Sequence, residues 1–241
     1  MSGALDAAAS GSVAIGKSAL SALTSGAGNT AIGYNSGAAI TDGVYNTVLG
    51  YDAFITANSG ESYNTVIGWE AGKTTDHPST DHNVFIGAKA GYGQTGYSLG
   101  ECVAIGSECF DGTGANSVSG IVAIGKGAMS GVVESTAIGS VAIGGYALAA
   151  LTSGARNTAI GYQASDAITT GADNTSLGYG ALSELVDGAN NTAIGSYALG
   201  DMFGGTTSDG SSNNTVMGYN AAGGTWADQD CSNIVAIGAN A

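Results

Sequence analysis

The sequence predicts an all-β chain, a parallel β-solenoid of about thirteen rungs, roughly 60 Å long if rungs are about 4.8 Å apart. Three observations carry this. The first is a recurrent motif, typified by Asn157-Thr158-Ala159-Ile160-Gly161-Tyr162-Gln163-Ala164, which aligns on thirteen glycines from Gly16 to Gly238, most of them 17 to 19 residues apart. The second is its consistency: Val or Thr always stands three before the glycine, Ile, Leu or Met directly before it, and Ala three after it in eleven units, with Ser36 and Cys109 the exceptions. The third is composition. With 42 Gly, one Pro and four Phe in 241 residues, the chain is turn-rich and thin, without the bulk for a wide core.

Within each unit, the Val/Thr and Ile positions flank a middle residue and the glycine ends the run, which reads as one short strand per unit. The middle residues are Ala14, Ala31, Val48, Val66, Phe85, Ala104, Ala123, Ala142, Ala159, Ser176, Ala193, Val216 and Ala236, all apolar except Ser176. A strand apolar on both faces is usually covered on both. The expectation is that Val/Thr and Ile fill the solenoid interior. On that expectation the small middle residues face outward as an interface between chains, with Ala14, Ala31, Ala104, Ala123, Ala142, Ala159, Ala193 and Ala236 as its core.

Two further ladders follow from the register. Wherever the first strand residue is Thr, the preceding residue is Asn in all seven cases, which predicts stacked corner amides that satisfy one another from rung to rung. After the glycine, Tyr34, Tyr51 and Trp69 occupy successive units, with Tyr162, Tyr179 and Tyr219 later. Rings at rung spacing stack and cover a wall, or offer a strip for carbohydrate. With Tyr97, Phe203 and Trp226 in the loops, Tyr34, Tyr51 and Trp69 are the candidate receptor contacts.

The longest departures from the period are loops. Residues 72–82 hold both histidines and the only proline, and Asp76, His77, Asp81 and His82 are candidate metal ligands at a spacing that matches no specific motif. Residues 200–213 form the longest insertion, and 222–233 another; loops of this kind are expected to face solvent. Around 135–144, Ser135-Thr136-Ala137-Ile138-Gly139 abuts Ser140-Val141-Ala142-Ile143-Gly144, so two strand motifs stand in immediate succession. From there the chain restarts: Ser140 to Tyr179 matches Ser12 to Tyr51 at an offset of 128. The organisation is therefore a lead over 1–11, a first repeat block over 12–139 and a second over 140–241.

Charge narrows the partners. Nineteen acidic residues against five basic ones give a net charge of -14, which repels nucleic acid and anionic membrane. No run of 18 apolar residues could cross a bilayer, and no signal peptide is expected at the start. Cys102, Cys109 and Cys231 are an odd number without CxxC spacing, so neither a disulfide framework nor a zinc site is implied. Cofactors are not expected.

Ser-Val-Ala-Ile-Gly-x-x-Ala units resemble the head repeats of YadA-like trimeric autotransporter adhesins, and Asn-Thr-Ala-Ile-Gly-Tyr-Gln-Ala resembles repeats of bacteriophage tail-fibre proteins, over roughly residues 12–241. The resemblance implies a left-handed parallel β-roll, three chains around one axis, and binding surface displayed away from the virion or cell. The adhesin repeat is nearer 14 residues, a spacing matched here only between Gly125 and Gly139. The expected function is thus a non-catalytic attachment protein, a segment of a trimeric viral tail fibre. Its partners are then itself, other fibre or virion proteins and a cell-surface glycan or protein, in a virion or at a cell surface. The head of a trimeric adhesin is the alternative. A polysaccharide-degrading tailspike needs two convergent carboxylates in a groove. Ice binding needs a flat ladder of outward Thr, whereas the Thr here is expected to point inward.

Overall fold

In the computed structural model, the described residues are 9–58, 60–93, 97–112, 114, 117–200, 210–223 and 232–241. Among the described residues the fold is an all-β parallel solenoid of about 11 turns, with no α-helix. It divides into two compact units, Met1–Ile121 and Val122–Ala241.

In the first unit, strands β1 (Val13–Ile15), β2 (Thr30–Ile32), β3 (Thr47–Leu49), β4 (Thr65–Ile67), β5 (Val84–Ile86) and β7 (Val103–Ile105) pair in parallel, each with the next. Two-residue strands β6 (Leu99–Gly100) and β8 (Val118–Ser119) pair in a separate ladder. The second unit repeats the plan with β9 (Val122–Ile124), β10 (Val141–Ile143), β11 (Thr158–Ile160), β12 (Thr175–Leu177), β13 (Thr192–Ile194), β14 (Thr215–Met217) and β15 (Val235–Ile237). Register is invariant: Val13 lies on Thr30, Ala14 on Ala31 and Ile15 on Ile32, so each motif position stacks on its own kind.

Glycine follows each three-residue strand, and along most of the ladder the next rung lies against it. At Gly33, φ is +137°, and a Cβ would sit 2.3 Å from the carbonyl oxygen of Gly50, a contact no side chain survives. The strand is therefore held to three residues, and three residues have one middle.

That middle residue points inward, the reverse of the expectation. Ala31, Ala104, Ala123, Ala142, Ala159 and Ala193 are fully buried within one chain, and Ala14 and Ala236, at the outer strands, are half-buried. They are not available as an interface between chains. The residues on either side face outward: Val13, Ile15, Leu49, Leu177, Met217, Val235 and Ile237 are exposed, as are Thr47, Thr175 and Thr215. The regular Thr is thus on the outer face too. The physical reason is width. The opposite wall, formed by the Ala three after each glycine and the residue next to it, lies so close that one small side chain per strand fills the gap. Ala19, Leu20, Ala53, Phe54, Ala90, Leu148 and Leu182 supply that wall and are fully buried.

Where the middle residue is large, the wall gives way. Phe85 is fully buried, and residues beside its ring are Gly91, whose added Cβ would fall 2.5 Å from it, and Gly72, whose Cβ would fall 3.2 Å from it. The polar exception is matched as well: buried Ser176 accepts a 2.8 Å hydrogen bond from the Ser165 hydroxyl on the facing wall.

Of the two abutting motifs, only the second is a strand. Thr136-Ala137-Ile138 is a turn, closed by Ala137 N–H donating to the Glu134 carbonyl at 3.0 Å, and only Val141–Ile143 is a strand. β9 therefore pairs directly with β10, and the 14-residue spacing creates no additional rung. Residues 72–82 are also not wholly a solvent loop, since Thr75 and Thr80 are buried. Most of the lead over 1–11 lies outside the described residues, as does most of the 200–213 insertion.

Phe85→Ala should leave a cavity that the flanking glycines cannot close, lowering unfolding free energy by about 3–5 kcal/mol. Urea denaturation followed by circular dichroism checks this. A loss below 1 kcal/mol would mean that the rungs collapse onto the space.

Candidate functional site

The corner before each strand fixes what the walls can display. In the first unit, Asn46, Asn64 and Asn83 each donate from backbone N–H and from Nδ2 to the Oδ1 of the Asn one rung before, at 2.9 to 3.1 Å. The second unit builds the same ladder from Asn157 through Asn174 and Asn191 to Asn214. The spare Nδ2 hydrogen reaches a turn carbonyl, as from Asn64 to Thr80 at 2.8 Å and from Asn174 to Gly188 at 2.8 Å. The predicted amide ladder is present, and Ser12 and Ser140 take the Asn position at its first rungs, with their hydroxyls accepting from Asn29 and Asn157 N–H at 3.2 Å.

The residue before the corner is left-handed: Tyr45, Tyr63 and His82 have φ of 55°, 60° and 60°. This aligns a second aromatic rank that the sequence reading missed, with Tyr45 stacked on Tyr63 at 5.4 Å and Tyr63 on His82 at 4.9 Å. Its signal in the sequence is an aromatic ring two before the Thr or Val.

The first aromatic rank is formed in part, with Tyr34 on Tyr51 and Tyr162 on Tyr179 stacked. Tyr34 stacks on Tyr51 at 5.0 Å, Lys17 lies 5.8 Å from the Tyr34 ring centre, and Lys89 lies 5.3 Å from that of Trp69. All three rings are exposed. Tyr97 is half-buried and joins neither rank, and Phe203 and Trp226 lie outside the described residues.

The metal candidates are dispersed over other tasks. Asp81 Oδ1 accepts from Ser62 N–H at 2.7 Å, His77 Nδ1 accepts from Ser79 N–H at 3.1 Å, and His82 is stacked on Tyr63; Asp76 is half-buried in the same loop. Among the described residues, no three His, Cys, Asp or Glu side chains gather as a ligand set. Cys102 and Cys109 are buried, and burial pushes the Cys102 thiol up to about 11. Cys231 lies outside the described residues.

Two open clefts mark the walls. One of about 380 Å³ in the first unit is lined by Asp81, His82, Ser98, Glu101 and Ser117. The other, of about 390 Å³ in the second unit, is lined by Gln163, Asp166, Tyr179, Gly180, Glu184 and Tyr197. In that second cleft, Tyr162 stacks on Tyr179 at 5.6 Å, and Tyr197 meets Tyr179 edge-on at 5.0 Å. Its hydrogen bond with Tyr179 raises the Tyr197 phenol. Burial, and then the nearby Glu184 charge, push the Asp166 carboxyl up to about 6, while Gln163 opposes the shift by hydrogen bonding. One carboxylate oxygen, Asp166 Oδ1, has no hydrogen-bond partner. Neither acidic residue was singled out as a site from the sequence, because they fall at different distances after their glycines and only the stacking of rungs brings them together.

Comparison with protein-family models, with curated proteins and with solved structures finds no match to this chain. The arrangement itself is what speaks for function: aromatic ranks on walls, acidic clefts between rungs, and an outward apolar sheet face.

The raised Asp166 carboxyl has a stability consequence. The folded chain holds this proton more tightly than the unfolded chain, so the group favours folding below the ordinary carboxylate range, and that contribution is lost as pH rises through about 6. Asp166→Asn should therefore raise the melting temperature at pH 7 and leave it unchanged at pH 3.5. Scanning calorimetry at the two pH values checks the sign; equal shifts at both would separate the effect from ionisation.

Proposed function

We propose that the chain is a non-catalytic structural and attachment protein, a segment of a homotrimeric viral tail fibre that contacts a cell-surface receptor. The observation that carries the reading is the outward sheet face. In each three-residue strand, Val or Thr and Ile, Leu or Met flank the inward middle residue, and Ile15, Leu49, Leu177 and Ile237 are 58%, 43%, 45% and 68% exposed. Continuous apolar strips of this kind mark interfaces. Residues that stack in register within one chain also present a regular surface to identical neighbours. The interface is thus assigned to the residues flanking the Ala stripe, and the thirteen-rung, left-handed β-roll of the resembled repeats is the architecture that fits it. The walls with their Tyr ranks then face away from the axis, where a glycan or protein receptor would meet them. An adhesin head would use the same surfaces and remains the alternative attachment reading.

A second reading is favoured by one observation. The outward row Thr158, Thr175, Thr192 and Thr215 lies in parallel register, which removes the ground on which ice binding was set aside. Its companion row is Ile160, Leu177, Ile194 and Met217, whose changing shapes suit packing against protein better than a lattice. Thermal hysteresis from the isolated protein would favour the ice-binding reading over the fibre.

Sedimentation equilibrium at moderate salt should give three times the 23.3 kDa chain mass. The double variant Ile160→Glu, Leu177→Glu should give the single-chain mass, because it places charge without partners in the face. Three chains of charge -14 repel one another, so dissociation should rise as salt is lowered. Fluorescently labelled wild type should also bind intact bacterial cells. A folded monomer at micromolar concentration that binds no cell in a broad panel would overturn the proposal.

A further inference from the structure

We propose that the cleft at Gly180 is a binding subsite for an uncharged sugar ring, seated against Tyr179 and hydrogen-bonded by Asp166 and Glu184. The inference rests on the attachment reading and names the ligand class for one wall of it.

One side of the cleft depends on a missing side chain. Two residues after the repeat glycine, successive rungs of the second unit place Tyr146, Gln163, Gly180, Tyr197 and Asn220, and all share a left-handed backbone. Between Gln163 and Tyr197 the rank has no side chain at Gly180. A Cβ there would lie 3.0 Å from the Tyr197 ring and 3.8 Å from Ser183 Oγ, so the glycine lets the Tyr197 ring settle against the buried backbone, where it forms one side of the cleft. Its volume of about 390 Å³ is within the range of small-ligand pockets.

The lining has the chemistry of sugar recognition. A pyranose presents a C–H face that packs on an aromatic ring and a rim of hydroxyls that need acceptors. Tyr179 is 46% exposed and braced by its stack on Tyr162, which leaves an accessible, rigid platform, with Tyr197 set at 69° to it as a side wall. Asp166 and Glu184 both belong to the lining, and as carboxylates they supply acceptors for the hydroxyls of a bound ring. Gln163 and Ser183 add a mixed donor and acceptor set.

Charge selects among sugars. The lining residues include Asp166 and Glu184 and no Lys or Arg. Sialic acids, uronates and sulfated sugars would bring a negative charge to two carboxylates without a cation to neutralise it, which the Coulomb term penalises. A neutral hexose meets no such penalty.

The test uses the full-length protein and saturation-transfer NMR with the methyl glycosides of glucose, galactose, mannose and N-acetylglucosamine, alongside glucuronate and sialic acid. At least one neutral glycoside should bind and the two anionic sugars should not. Tyr179→Ala and Asp166→Asn should each weaken that binding tenfold or more, and so should Gly180→Asn, which tolerates the left-handed backbone but pushes the Tyr197 ring out of its place in the cleft. Asp187→Asn, an exposed carboxylate outside the lining, should leave it unchanged. Circular dichroism confirms the fold of each variant, and if Gly180→Asn does not fold the other two carry the comparison. Absence of neutral-sugar binding, binding that survives both Tyr179→Ala and Asp166→Asn, or preference for the anionic sugars would each overturn the subsite. So would calcium chloride alone occupying the cleft, seen as a melting-temperature rise abolished by Asp166→Asn. Loss of the subsite in a protein that still sediments as a trimer and binds cells would leave the attachment reading standing, whereas a monomer that binds the sugar would sink that reading and spare this one.

Discussion

The corner amide ladder is the interaction on which the remaining structure depends. Along the ladder an Asn Oδ1 accepts the backbone N–H of the next rung and, where that rung also carries Asn, its Nδ2–H, while Nδ2 reaches a turn carbonyl, as from Asn64 to Thr80. A rung slipped by one residue would break three hydrogen bonds per corner in a place water does not reach, where each unsatisfied group costs about 1–3 kcal/mol. Register is therefore fixed at the corner rather than by the three-residue strands, which are too short to specify it. With register fixed, every other position stacks on its own kind, and the ladders of Ala, Ile and Tyr follow.

Fixed register makes the interior a problem of exchange between facing positions. The inner gap admits one side chain per strand, mostly Ala or Val, and the bulkiest and the polar departures are matched across the gap. Phe85 is accommodated by Gly91 and Gly72, and Ser176 by Ser165. These pairs show that the repeat is not a uniform extrusion. Individual rungs are tuned while the backbone path is kept, as expected of a close-packed interior that cannot yield locally.

The same constraint shapes the walls. Left-handed backbone at fixed positions turns side chains outward in straight ranks, and a glycine in such a rank lets the ring of the next rung lie against the backbone, as Tyr197 does at Gly180. Tyr179, Gly180 and Glu184 belong to one rung and Asp166 to the rung before, and stacking brings them to one cleft. Surface variation of this kind costs the solenoid little, which is how a monotonous scaffold can carry local recognition.

The sequence by itself determined the architecture, the corner ladder and the first aromatic rank, because each is a strictly periodic pattern and stacking translates period into contact. Val13-Ala14-Ile15-Gly16 and its copies carried the strand, and the pairing of Asn with Thr carried the ladder. Which strand face is inside was decided only by the tertiary structure. Both faces of Val-Ala-Ile are apolar, so hydropathy does not distinguish them, and the distance to the opposite wall chose the single small residue for the interior and sent Val, Thr and Ile outward. The turn at Thr136-Ala137-Ile138 was decided in the same way, since a strand-like triplet becomes a strand only where a neighbouring rung offers it a ladder. The meeting of Asp166 with Glu184 likewise exists only in three dimensions: the two residues stand at different phases of the repeat, and it is the stacking of their rungs that puts them in one cleft.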